Sequence, residues 1–153
     1  MNLDTFTQTK FWPYCSKLRR NTVTGYLSAY NKHIKPHFGD WELESITVEA
    51  IELWLAAFEK TGAAKKAYSV LRNILRKAYK WQHMTFDPTV LNVELPHHPK
   101  YRPNVLTDAN IHKILKAFYD HEIEPVVICS LTLGLRRGES CGLTWGDIDL
   151  RSG

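Results

Sequence analysis

The 153-residue chain has no apolar run near the ~18 residues a membrane span needs. Its opening stretch, MNLDTFTQTK, has neither the basic leader nor the apolar core of a secretion signal, so a cytoplasmic protein without a membrane span is expected. Cysteine is scarce. Cys15, Cys129 and Cys141 are odd in number and far apart, which fits neither a disulfide framework nor a zinc site and leaves reduced thiols as the expectation. Internal repeats and low-complexity tracts are absent. With 44% hydrophobic residues and five Trp, the chain has the makings of packed cores and is not expected to be disordered.

The more informative absences concern charge. Residues 40–59 carry six acids and no base, whereas residues 60–86 carry seven bases and no acid. Residues 1–39 carry six bases against Asp4 alone. Two basic blocks flanking an acidic one polarise a surface towards a polyanion, although solvated helix faces produce such runs too.

What is present reads as helices. Residues 4–18 form a short helix interrupted near Pro13. Asn21 or Thr22 is placed to cap a second helix reaching about Ile34. Its apolar stripe is Val23, Tyr26, Leu27, Tyr30 and Ile34, and its opposite face is Thr24, Ser28, Asn31, Lys32 and Lys35. Gly25 sits inside it at a cost of about 1 kcal/mol. Pro36 and Gly39-Asp40 are expected to end it. Thr47 caps a third, acidic helix through Phe58, with Thr61-Gly62 as its stop.

The fourth helix, about 63–83, carries the strongest signal. At ~100° per residue, Lys65, Lys66, Ser69, Arg72, Asn73, Arg76, Lys77 and Lys80 fall within an arc of about 140°. Ala64, Ala67, Tyr68, Val70, Leu71, Ile74, Leu75, Ala78, Tyr79 and Trp81 fill the complementary arc, with Gln82 out of place. Surface helices usually interleave Glu with Lys, because pairs one turn apart stabilise the helix. Here that stabilisation is absent and like charges repel, an arrangement that phosphates would neutralise. The aromatic residues Tyr26, Tyr30, Tyr68 and Trp81 lie on apolar arcs and are expected in the core.

Residues 85–105 hold Pro88, Pro96, Pro99 and Pro103 and read as an extended linker. His97-His98 lies there without companions at metal-ligand spacing, so no metal site is expected. Thr107 then caps a helix whose buried stripe is Ile111, Ile114, Leu115 and Phe118. A second apolar helix, about Glu124 to Leu133, leads into GLRRGESCGLTWGDIDL.

That last stretch resembles the first catalytic segment of tyrosine recombinases, the phage and transposon integrases. Gly134, Leu135, Arg136, Gly138, Glu139, Leu143, Trp145, Asp147, Ile148 and Asp149 match its pattern in order and spacing. Upstream, NTVTGYLSAYNKHIKPHFGDWELESIT is similar to the family's core-binding domain, and FDPTV and LTDANIHKIL resemble its linker and catalytic-domain entrance. Leu133 stands where many members have Thr. The resemblance implies an all-α chain: a four-helix, SAM-like core-binding domain over 1–86, a linker over 87–104 and the opening helices of a catalytic domain over 105–153. By the same resemblance Arg136 is the first catalytic arginine. Glu139 either braces the site or caps its own helix, and Arg137 is a surface or phosphate-contacting residue.

The family's mechanism also needs a Lys on a β-hairpin, a His-x-x-Arg pair, a further His or Trp, and a Tyr nucleophile. None of the seven His is followed three residues on by Arg, and no Tyr is a credible nucleophile. The expectation is therefore a fragment that binds duplex DNA but catalyses nothing alone, with no cofactor. Its parent would cleave and rejoin DNA through a 3′-phosphotyrosyl intermediate. Contacts are expected from Thr24, Ser28, Asn31, Lys32 and Lys35 and from the basic arc of the fourth helix. Family members assemble on DNA, which leaves a homo-oligomer on DNA as an open expectation. Two alternatives stand beside this reading: a stand-alone, non-catalytic DNA-binding protein or regulator, and a helical module for acidic protein partners.

Overall fold

The computed structural model describes residues 1–97 and 103–149, so the expectations placed on His98, Pro99 and the final residues 150–153 lie outside the described residues. The described residues are helical with no strand; a single antiparallel bridge joins Asn2 to Glu42. The chain divides into two compact units, Met1–Lys100 and Tyr101–Gly153.

Four helical runs build the first unit. Helix α1 (residues 3–15) and helix α2 (residues 20–38) each contain one π turn, Thr7–Phe11 and Tyr30–Ile34. Helices α3 (Val48–Ala56) and α4 (Thr61–Lys80) come next. Neither Pro13 nor Pro36 interrupts its helix, contrary to the sequence expectation. A proline ring clashes with the carbonyl four residues back in an α-helix. Here each proline is preceded by a widened turn in which the residue before it donates to the carbonyl five back, Trp12 to Thr7 and Lys35 to Tyr30. The wider ladder accommodates the ring and the helix continues.

Other boundaries shift by local chemistry. Helix α2 begins at Arg20 after Arg19, with no side-chain cap, so neither Asn21 nor Thr22 serves. Thr47 does cap α3, its hydroxyl accepting from the Ala50 N–H at 3.2 Å. Thr61 starts α4 and does not stop α3, which ends at Ala56. Gln82 is out of pattern because it lies beyond the helix. It takes the left-handed conformation at φ 61°, and the bonds Gln82 N–H to Tyr79 O and His83 N–H to Ala78 O close the helix end.

The core of this unit gathers one face of every helix. Leu3, Phe6 and Phe11 of α1, Tyr30, Ile34 and Phe38 of α2, Ile51 and Leu55 of α3, and Leu71, Ile74 and Leu75 of α4 are all buried. The segment after α4 also packs here: Met84, Asp87, Pro88, Thr89 and Val93 are buried. The backbone N–H groups of Thr85 and Glu94 donate to the carboxylates of Glu44 and Glu52. Part of the expected linker is thus held on the first unit.

The second unit contains helices α5 (Asp108–Ala117), α6 (Glu124–Leu133) and α7 (Arg137–Ser140). Thr107 caps α5 through the Asn110 N–H at 3.4 Å. Gly134 ends α6 at φ 64°, a left-handed turn that glycine adopts without the penalty a side chain brings. Of the two glycines beside the arginines, Gly134 alone uses that freedom; Gly138 lies inside α7. Ser140 is the buried residue among those described in this unit, and its hydroxyl lies 3.2 Å from that of Ser130.

Candidate nucleic-acid interface

Helix α4 separates its two faces as its spacing requires. Ala64, Ala67, Tyr68, Val70, Leu71, Ile74, Leu75 and Ala78 are buried, while Lys65, Lys66, Ser69, Arg72, Arg76 and Lys80 are exposed. None of these five basic residues forms an ion pair among the described residues. Twenty residues in length, the helix presents this cationic row over several turns.

The two remaining members of the arc are held by neighbours. Asn73 donates its amide N–H to the Tyr26 hydroxyl at 3.0 Å, which joins α4 to α2. The Lys77 ammonium lies 4.1 Å from the centre of the Tyr14 ring and 5.6 Å from that of Trp81, a cation–π arrangement that fixes a flexible side chain. Beside it, burial pushes the Cys15 thiol up from its ordinary value, against the opposing pull of Lys77. Tyr79 departs from the apolar arc expected of it. It is 48% exposed, because it falls at the edge of that arc, one turn from Arg76.

On α2, Thr24, Ser28, Asn31, Lys32 and Lys35 are all exposed. They do not form one uninterrupted row. The π turn Tyr30–Ile34 adds a residue to the helical register, rotating the residues beyond it by about one 100° step. Lys35 accordingly reaches back to α1, its ammonium 3.0 Å from the Asp4 carboxylate. Asp4 Oδ1 also accepts from the Tyr30 hydroxyl at 2.9 Å, and the Thr7 hydroxyl donates to Tyr30 at 2.8 Å. Burial opposes the Asp4 charge, but the bonds from Lys35, Tyr30 and Gln8 outweigh it and hold the carboxyl below its ordinary range. The Tyr30 hydroxyl is pushed well up, by burial first and by Asp4 as well. This network ties α1 to α2, and the sequence offered no signal for it across 31 residues.

In the second unit, the Arg136 side chain is 87% exposed. Glu139 bonds to Arg136 in two ways. Its carboxylate accepts from the Arg136 backbone N–H at 2.7 Å, capping α7, and from the guanidinium at 3.0 Å. Arg137 and Gly138 are exposed beside it. No group of three metal-ligating side chains occurs among the described residues. No described helix is long and apolar enough to cross a membrane.

Residues 11–58 match the family described as phage integrase, N-terminal SAM-like domain. The match begins in α1 and ends just after α3. The chain is also 28% identical over 137 residues to a protein named integrase from Streptomyces ambofaciens, covering 86% of this chain. In both comparisons the chain is similar to phage integrases. The chain spans about a third of the length of the curated relative it matches, 35%. No solved structure matches it.

Proposed function

We propose that this chain is the DNA-binding part of a site-specific recombinase. Residues 1–86 would act as the core-binding domain, 87–104 as the connection, and 105–153 as the opening of the catalytic domain. The observation that carries this reading is the row Lys65, Lys66, Arg72, Arg76 and Lys80, exposed along one helix without an acid to neutralise it. Five like charges on one face raise the energy of the free protein, and a phosphate backbone removes that repulsion while releasing counterions. Thr24, Ser28, Asn31 and Lys32 on α2 supply further polar groups, and Lys35 contributes in competition with Asp4. Which of these read bases and which hold phosphates depends on contacts with the duplex itself.

Arg136 is the group this chain would bring to strand cleavage. A phosphodiester under attack passes through a pentacoordinate state of greater negative charge, which fixed cations stabilise. A guanidinium stays charged and offers five N–H donors in a planar fork. One of them is taken by Glu139, which orients the fork and leaves the others for phosphate oxygens. The family resemblance assigns the nucleophile and the remaining cations to residues this chain does not contain, and cleavage belongs to the full-length recombinase.

A salt titration of binding to duplex DNA tests the reading. About five phosphate contacts give a slope near −4.5 in log K against log salt, and the Arg72→Ala, Arg76→Ala, Lys80→Ala triple variant should reduce it to about −2. An unchanged slope with unchanged affinity would remove α4 from the interface. In a full-length recombinase carrying this segment, Arg136→Ala should abolish cleavage while leaving binding by the first unit intact.

A further inference from the structure

Between α1 and the turn at residues 88–90 there is a groove of about 620 Å³ whose floor is the basic face of α4. Arg76 and Lys80 lie on the floor, Tyr14 and Leu18 stand on the α1 side, and Tyr79, Val90 and the buried Asp87 are among the other residues that line it. A site that served phosphates alone would not require these apolar walls. Tyr79 is about half exposed, Val90 is 73% exposed, and Tyr79 makes no ring contact with another aromatic side chain among the described residues. Tyr14 differs, since its ring already carries the Lys77 ammonium. One face of α4 therefore combines free cations with one unstacked aromatic ring.

We infer that this groove takes one unpaired nucleotide of DNA, with its phosphate on Arg76 and Lys80 and its base against Tyr79. The inference rests on the proposal that α4 faces DNA and adds a second element to it. Arg76 and Tyr79 are three residues apart, so their Cβ atoms lie about 5–6 Å from each other, a separation that one nucleotide bridges between phosphate and base. Single-stranded DNA is commonly held this way, by cations along the backbone and aromatic rings beneath the bases. Carboxylates of an acidic peptide would suit the cations equally well. The nucleotide is favoured by the exposed ring set among those cations, because a stacking partner must be flat. Asn73, fixed by Tyr26 and also lining the groove, places a carboxamide within the same lining, where the edge of a base offers hydrogen-bonding groups.

Two duplexes of one sequence provide the test, one fully paired and one with a single bulged 2-aminopurine. The wild-type chain should bind the bulged duplex about tenfold more tightly and quench the 2-aminopurine fluorescence. Tyr79→Ala should bring the affinity ratio to one and abolish quenching, whereas Tyr79→Phe should retain both. Circular dichroism confirms that each variant keeps its helices. Equal affinity of the wild type for both duplexes overturns the inference and leaves the duplex reading standing. Failure to bind either DNA overturns both. An acidic peptide that binds the wild type but not Tyr79→Ala, with no bulge preference, assigns the groove to a protein and overturns the inference.

Discussion

The two units have been built from the same materials with different results. In the first, four amphipathic helical runs turn their apolar faces inward, and Phe6, Tyr30, Ile34, Phe38, Leu71 and Ile74 lose all contact with solvent. In the second, Ser140 is the buried residue among those described, while Leu133 is 68% and Trp145 84% exposed. Helix α6 reads EPVVICSLTL, apolar on nearly every side, which is the makeup of a helix surrounded by protein. Here α5 and α7 leave much of it uncovered. Periodicity says which face of a helix is apolar, but burial requires enough neighbouring elements to enclose it. The same contrast separates the candidate sites: the basic face of α4 is backed by a closed core, whereas Arg136 is oriented locally by Glu139.

The comparison can be broken most directly by truncating matched side chains. Leu71→Ala, in the first core, should cost about 2–5 kcal/mol, and Leu133→Ala well under about 1 kcal/mol. Urea denaturation followed by tryptophan fluorescence reads the first unit, which holds four of the five Trp; circular dichroism reads both. Comparable losses would mean that the second unit is as well packed as the first. A smaller effect is expected from Tyr30→Phe, which removes the hydroxyl between Thr7 and Asp4 and should cost about 1–2 kcal/mol in the same assay. In the opposite direction, Gly25→Ala should stabilise the first unit by about 0.5–1 kcal/mol. A Cβ at Gly25 would meet nothing within 4 Å, so a loss of stability would reveal a packing constraint on α2.

The smallest expected effect is on acid sensitivity. The Asp4 carboxyl sits below its ordinary value of 3.8 in the folded chain, so its contribution is complete above that value. It is lost as pH falls through the depressed one. Asp4→Asn should therefore flatten the acid limb of the first unit's stability curve, modestly because the pair with Lys35 is solvent-screened. An acid limb that keeps its shape in the variant would exclude this network as its source.

The legibility of these features depends on their range in sequence. The α4 stripe could be read because all its members belong to one regular helix, where 3.6 residues per turn decides the face. The caps Thr47 and Thr107 and the arginine motif were legible for the same reason, since each acts within a few residues. Pro13 and Pro36 mislead because a breaker rule assumes α geometry, and a π turn relaxes the clash. That turn also moves Lys35 out of its ideal projection and onto Asp4. Tyr79 misleads as a large aromatic at the edge of an apolar arc, where the arc boundary and not the residue type decides exposure. The Tyr26–Asn73 bond spans 47 positions and left no local pattern to find.

The amino-acid sequence by itself determined the helices of this chain, the charge segregation along α4 and an arginine motif that resembles the one in integrases. All three are properties of residues within one or two turns of each other. Tertiary packing alone decided which apolar faces close into a core and which stay open. It also decided which cations are taken up by internal partners, and that a tyrosine stands among those left free. Those outcomes depend on elements brought together from distant parts of the chain, and local periodicity carries no information about what packs against a face.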